Sequence, residues 1–175
     1  MAYIAKRTIC LSIRTVDTLG GDAVRQQPNE VKSYDEWQGL REVWKQSAGQ
    51  PFSGKAAAYM KYRRWNAAIF EDRTGLAADT YRRINRGELN SPKKHTTVAL
   101  CAGLDLDYRL AADLLQSTGM ALSPFDETDR AYEYILTEMR GRGLDACNRF
   151  LETRGLPPLG AQERNTDRIG KVNIA

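Results

Sequence analysis

The side chains able to do covalent or metal chemistry are few in this chain of 175 residues. His95 is the only histidine, and the three cysteines, Cys10, Cys101 and Cys147, lie far apart. A structural zinc site needs cysteine and histidine in close-set pairs, and that spacing does not occur. There is no HExxH, no GxxxxGK(S/T) and no GxGxxG, so neither a metallopeptidase helix nor a phosphate-cradling glycine loop is expected. No nucleophile-elbow pattern accompanies His95, which leaves a hydrolase triad without its other parts. His95, next to Lys94, reads as a loop or cap residue, and Cys101 as a small buried apolar one. No enzyme activity, cofactor or metal is therefore expected.

The chemistry that remains belongs to guanidinium and ammonium groups. Residues 55–95 hold ten Lys/Arg against four Asp/Glu, a local +6 in a chain whose net charge is +4. Residues 96–160 hold six against ten. A basic window followed by an acidic one is the footprint of a protein that presents one face to a polyanion. The remaining composition is that of an ordinary globular chain, 42% hydrophobic and 27% charged. No apolar run approaches the roughly 18–20 residues of a membrane span. The stretch Ile9–Ile13 is too short for a signal-peptide core, and odd, scattered cysteines suit a reducing compartment. A cytoplasmic, non-membrane protein is the expectation.

The elements that must position those cations are helical. Residues 3–15 alternate with period two, which predicts a short strand, and residues 16–32, with Gly20-Gly21 and Pro28, predict a linker. Ser33 and Glu36 form a capping box that opens a helix to about residue 48, with Trp37, Leu40, Val43 and Trp44 on one face. Residues 49–54 read as a break. A second helix is expected over Lys55–Trp65, with Ala58, Tyr62 and Trp65 inward. Val98, Leu100, Cys101 and Leu104 mark a helix over 97–104, and Leu110, Ala111, Leu114 and Leu115 mark one over 108–116. Ala131, Tyr132, Ile135, Leu136 and Met139 mark another, stopped at Gly141 and Gly143. Leu144, Cys147, Phe150 and Leu151 mark the last, with Gly155 near its end. The expected organisation is an N-terminal extension over 1–54, a domain over 55–118, a C-terminal helical segment over 119–160 and a flexible tail over 161–175.

Between the second and third of these lies the stretch 67–87, two short helical patterns hinged at Gly75. Glycine takes the positive φ that a tight helix–helix turn needs. Leu76 plugs the angle, Tyr81 and Ile84 anchor the second helix three residues apart, and Arg86-Gly87 ends it. On these residues the segment resembles the helix-turn-helix of the Cro/C1-type (XRE-like) DNA-binding family. The Asn90-Ser91-Pro92 turn with the helix after it, and the helix 108–116, look like that family's fourth and fifth helices. The chain departs from the family pattern twice. Glu71 stands four before the turn glycine, where a small residue is usual, so it must either clash at the helix crossing or swing outward. Ala77 stands where Ser or Thr commonly caps the reading helix, and alanine cannot cap.

The resemblance implies a mainly α fold with a five-helix core over 55–118, and sequence-specific binding of double-stranded DNA, as a repressor that acts by occlusion. It implies base contacts from Ala78, Asp79, Arg82 and Arg83, with arginine forking onto guanine O6/N7 and Ala78 touching a thymine methyl. It implies phosphate contacts from Arg86, Lys93 and Lys94, and in a second tier from Arg63, Arg64 and Arg73. Such modules bind as homodimers across half-sites about 34 Å apart, and Tyr132, Ile135, Met139, Phe150 and Leu151 are candidates for the dimer contact or for packing on the core. The rival expectation is a protein–protein interaction module, antitoxin- or inhibitor-like, with a partner met through 1–54 or 119–160. A third, a fragment of a metallopeptidase fusion, lacks its metal motif.

Overall fold

A computed structural model describes residues 34–160. The alternating stretch 3–15, the linker 16–32, Ser33 of the capping box and the tail 161–175 lie outside the described residues. The fold is mainly α, with eight helices and no strand among the described residues. In chain order they are α1 (Tyr34–Gln46), α2 (Phe52–Tyr62), α3 (Ala67–Thr74), α4 (Ala78–Asn85), α5 (Lys94–Gly103), α6 (Tyr108–Gln116), α7 (Glu127–Thr137) and α8 (Leu144–Glu152). None of them is long and apolar enough to cross a membrane.

One buried cluster holds them together. Leu40 of α1, Phe52, Tyr59 and Met60 of α2, Phe70 of α3, Ile84 of α4, Leu100 of α5, Leu114 of α6, Leu136 of α7 and Leu151 of α8 all belong to it. The apolar periodicity of α5, α6, α7 and α8 puts Val98, Leu110, Ala131, Tyr132, Ile135, Met139 and Cys147 inside as the sequence predicts. Four of the five dimer-face candidates are spent in this way. Tyr132, Ile135, Met139 and Leu151 are buried within the chain, and Phe150 is half-buried against Tyr134. Those four pack on the core.

α2 begins three residues before its expected start and ends three before its expected end. Pro51 is its N-cap residue, with extended backbone, and its fixed φ suits helix entry. The inward face is Phe52, Ala56, Tyr59 and Met60, an i, i+4, i+7, i+8 set. Tyr62 is exposed and Ala58 and Trp65 are half-buried, so the expected face is rotated. The cause is tertiary. The Ser53 amide and hydroxyl both donate to Asn90 Oδ1, which satisfies a free helix-start N–H from 37 residues away.

Candidate nucleic-acid interface

α3 and α4 are eight residues each, joined through Gly75 at φ 64° in the left-handed region. α3 starts on a side-chain cap, with Asn66 Oδ1 accepting from the Ile69 amide at 2.9 Å. It ends on Gly75, whose amide donates to the Glu71 carbonyl at 2.9 Å. The turn is then closed by Thr74, fully buried. Its hydroxyl donates to the Phe70 carbonyl at 2.7 Å and accepts from the Leu76 amide at 3.2 Å. Leu76, 2% exposed, fills the angle between the helices.

α4 is anchored by two side chains. Ile84 is 1% exposed. Tyr81 is half-buried, lies against the Phe70 ring at 5.6 Å between centroids, and donates its phenol proton to the Trp65 carbonyl at 3.0 Å. The opposite face carries Asp79, Arg82 and Arg83, all exposed, with Ala78 half-buried beside them. The guanidinium groups of Arg82 and Arg83 make no ion pair or hydrogen bond among the described residues. Ala77 supplies no side-chain cap to α4, as its methyl requires. Glu71 is exposed on α3, swung outward.

The remaining expected cations divide into two groups. Arg64, Arg73 and Lys93 are exposed and unpaired among the described residues. Arg86 is exposed beside Glu88, with Nε 3.3 Å from Oε1, and a pair so open to water holds it weakly. Lys94 and Arg63 do not belong with them. Lys94 Nζ lies 2.9 and 2.7 Å from the two oxygens of Asp129, which is 3% exposed. Arg63 is half-buried, pairs with Glu36 through Nη1, and donates through Nη2 to the Leu104 carbonyl at 3.0 Å. A cation held by its own carboxylate in a low-dielectric site is not offered to a phosphate. Both residues are therefore tertiary struts. Lys55, from the same basic window, is a third, 2.7 Å from Asp113. Part of the charge asymmetry along the chain is thus internal complementarity, since Asp113 and Asp129 both come from the acidic window.

Sequence reasoning missed Lys61. It lies one turn before Arg64 at the end of α2, exposed and unpaired among the described residues. The i, i+3 spacing of the two cations was the available signal. Together they edge a groove of about 620 Å³ between α2 and α4, whose floor includes Trp65 and Tyr81 and whose α4 wall includes Asn85. No carboxylate of the described residues lines it. Arg64 is held at φ 56°, a left-handed conformation that costs an L-residue about 1–2 kcal/mol.

Neither described cysteine suits nucleophilic chemistry. Burial pushes the Cys101 thiol well above its ordinary value, and pushes Cys147 up to about 11, with Asp105 adding to the effect. Both are neutral thiols at pH 7. No group of His, Cys, Asp and Glu that could hold a metal ion occurs among the described residues. What the outer face of α4 offers is two exposed guanidinium groups, Arg82 and Arg83, beside the carboxylate of Asp79. No protein-family model, curated protein or solved structure matches the chain.

Proposed function

We propose that α2–α6 act as a helix-turn-helix DNA-binding domain of the Cro/C1 kind, and that the protein is a sequence-specific transcriptional regulator that represses by occluding its site. The observation that carries this reading is the division of α4. Ile84 is buried and Tyr81 is tied to the Trp65 carbonyl, while Arg82 and Arg83 stand exposed and unpaired among the described residues. An eight-residue helix is about 12 Å long, short enough to lie in a major groove. Arg82 and Arg83 read base edges there. Arg64, Arg73, Arg86, Lys93 and Lys61 hold backbone phosphates on either side.

The test is a titration of the full chain with duplex DNA from upstream of its own gene, repeated at several salt concentrations. Binding through several phosphates gives an affinity that falls steeply with salt. Replacing Arg82 and Arg83 with alanine abolishes specific binding and leaves the helical circular dichroism unchanged. Specific binding at full strength in that double variant would remove α4 as the reading element.

One observation favours a protein partner instead. Phe125 is 94% exposed and Tyr134, stacked on Phe150, is 47% exposed on the C-terminal segment, apolar groups that a protein partner could cover. A chain that meets its partner through those groups binds no specific duplex DNA at any salt concentration, so the same titration separates the two readings.

A further inference from the structure

The turn that launches α4 is built against the far end of the described chain. A methyl placed on Gly160 would overlap the Thr74 carbonyl oxygen, and would lie 3.0 Å from both C and Cα of Gly75. A methyl placed on Gly75 would lie 2.9 Å from Leu144 Cδ2 and 3.5 Å from Gly160 Cα. A methyl on Gly103 of α5 would meet the Arg73 carbonyl oxygen and Thr74 Cγ2, both at 2.8 Å. The backbone of 73–75 is therefore enclosed by Gly103 of α5, by Leu144 at the start of α8 and by Gly160. Gly160, at φ 78°, is the one residue type that fits its place.

Residues 156–160 are fastened there. Asn148 of α8 accepts from the Leu159 amide at 2.8 Å and donates through Nδ2 to the Leu159 carbonyl at 3.2 Å. Leu159 is 1% exposed, and its neighbour Gly160 is buried. This pair of hydrogen bonds between one carboxamide and the Leu159 backbone makes these residues a hook hung from α8, with Gly160 as its tip on the turn.

α4 needs such a support. Its N-cap residue is Ala77, whose carbonyl takes the Thr80 amide at 2.9 Å but whose methyl offers no side-chain cap to the other amides at the helix start. The direction in which α4 leaves the turn is thus not fixed by any side chain of its own first residues. It is set by the Thr74 hydroxyl from inside and by the enclosing wall from outside. We infer that α8 and the hook 156–160 form a clamp that positions α4, so that the C-terminal segment is part of the reading head and Asn148 and Gly160 are positioning residues for it. The geometric half of this inference stands on the turn alone. Its second half, the effect on DNA, rests on the reading proposed above.

The experiment uses the full chain with Asn148→Ala and, separately, Gly160→Ala, and follows amide hydrogen exchange and DNA binding. Exchange in 74–78 is expected to rise about tenfold or more in each variant, while the amides of Leu114 and Leu115 in α6 keep their protection. Affinity for specific DNA falls, and affinity for random-sequence DNA and its salt slope stay as they were, because no cation has been removed. Wild-type exchange at 74–78 in a folded Asn148→Ala variant overturns the clamp, as does an equal rise throughout α6, which would mark ordinary core packing. Loosened turn amides with specific affinity unchanged would overturn the positioning role. A wild-type chain that binds no DNA while its variants loosen only at 74–78 keeps the clamp and removes the DNA reading.

Discussion

The Tyr81 phenol donates to the Trp65 carbonyl at 3.0 Å, and this one bond ties the middle of α4 to the connection between α2 and α3. Trp65 is the residue just before the Asn66 cap, so the bond fixes α4 relative to the start of α3. Tyr81→Phe keeps the ring contact with Phe70 and removes only the hydroxyl. The expected loss is about 1 kcal/mol of unfolding free energy, the usual net worth of a hydrogen bond. Urea denaturation should show a lower midpoint and an unchanged slope. An unchanged midpoint would mean that the hydroxyl adds nothing to the hold of Ile84, Leu76 and the ring contact with Phe70.

Arg64 permits a test in which stability and binding move in opposite directions. Its left-handed backbone, at φ 56°, suits asparagine better than arginine. Arg64→Asn should therefore melt at the same temperature or higher. If the side chain grips a phosphate at the edge of the α2–α4 groove, DNA affinity falls and the salt slope drops by about one ion. A lower melting temperature with unchanged DNA binding would make Arg64 a structural residue only.

Lys94 and Lys93 are adjacent and predicted to behave differently. Asp129 takes Lys94 Nζ on both oxygens and the Ser123 amide at 2.8 Å, which joins α5 to the start of α7. Lys94→Met strands a buried carboxylate, and should cost about 1–3 kcal/mol. Adding Asp129→Asn should recover part of that loss, a coupling that a double-mutant cycle measures. Neither change should alter the salt slope of DNA binding, whereas Lys93→Met should reduce it. Additive losses in the cycle would show that the pair contributes nothing.

These struts mark where the sequence stops being legible. α6 falls on its predicted residues because Leu110, Ala111, Leu114 and Leu115 repeat at helical spacing and Asp107 caps the first turn, all within one local window. The hinge at Gly75 was readable for the same reason: one residue type and its immediate neighbours dictate it. Lys55, Arg63 and Lys94 were not separable from Lys93 or Arg64, since each looks like a surface cation until its partner is known. Those partners, Asp113, Glu36 and Asp129, lie 58, 27 and 35 residues away. The start of α2 fails likewise. Gly49–Gly54 has the composition of a break, and Asn90, brought in by the loop after α4, takes the Ser53 amide where Phe52-Ser53-Gly54 begins a helix. The hook at Gly160 is the extreme case, a contact with residue 74 that no local pattern announces.

Ala77 is the position where the chain's own departure from a good helix start can be reversed. Its backbone is extended, at φ −63° and ψ 147°, the geometry of an N-cap residue, and no side chain serves α4 there. Ala77→Ser places a hydroxyl within reach of the free amides at the helix start, with almost no change in volume. The expected gain is about 0.5–1 kcal/mol, by the reverse of the usual Ser→Ala loss. For a chain of this size that is a rise of about 2–4 °C per kcal/mol in melting temperature. Because the amides of α4 are then satisfied from within, the same change should also reduce the helix's dependence on the C-terminal hook. Ala77→Ser combined with Asn148→Ala should accordingly show less exchange at 74–78 than Asn148→Ala alone. Equal exchange in the two would mean that the cap and the clamp act on α4 independently.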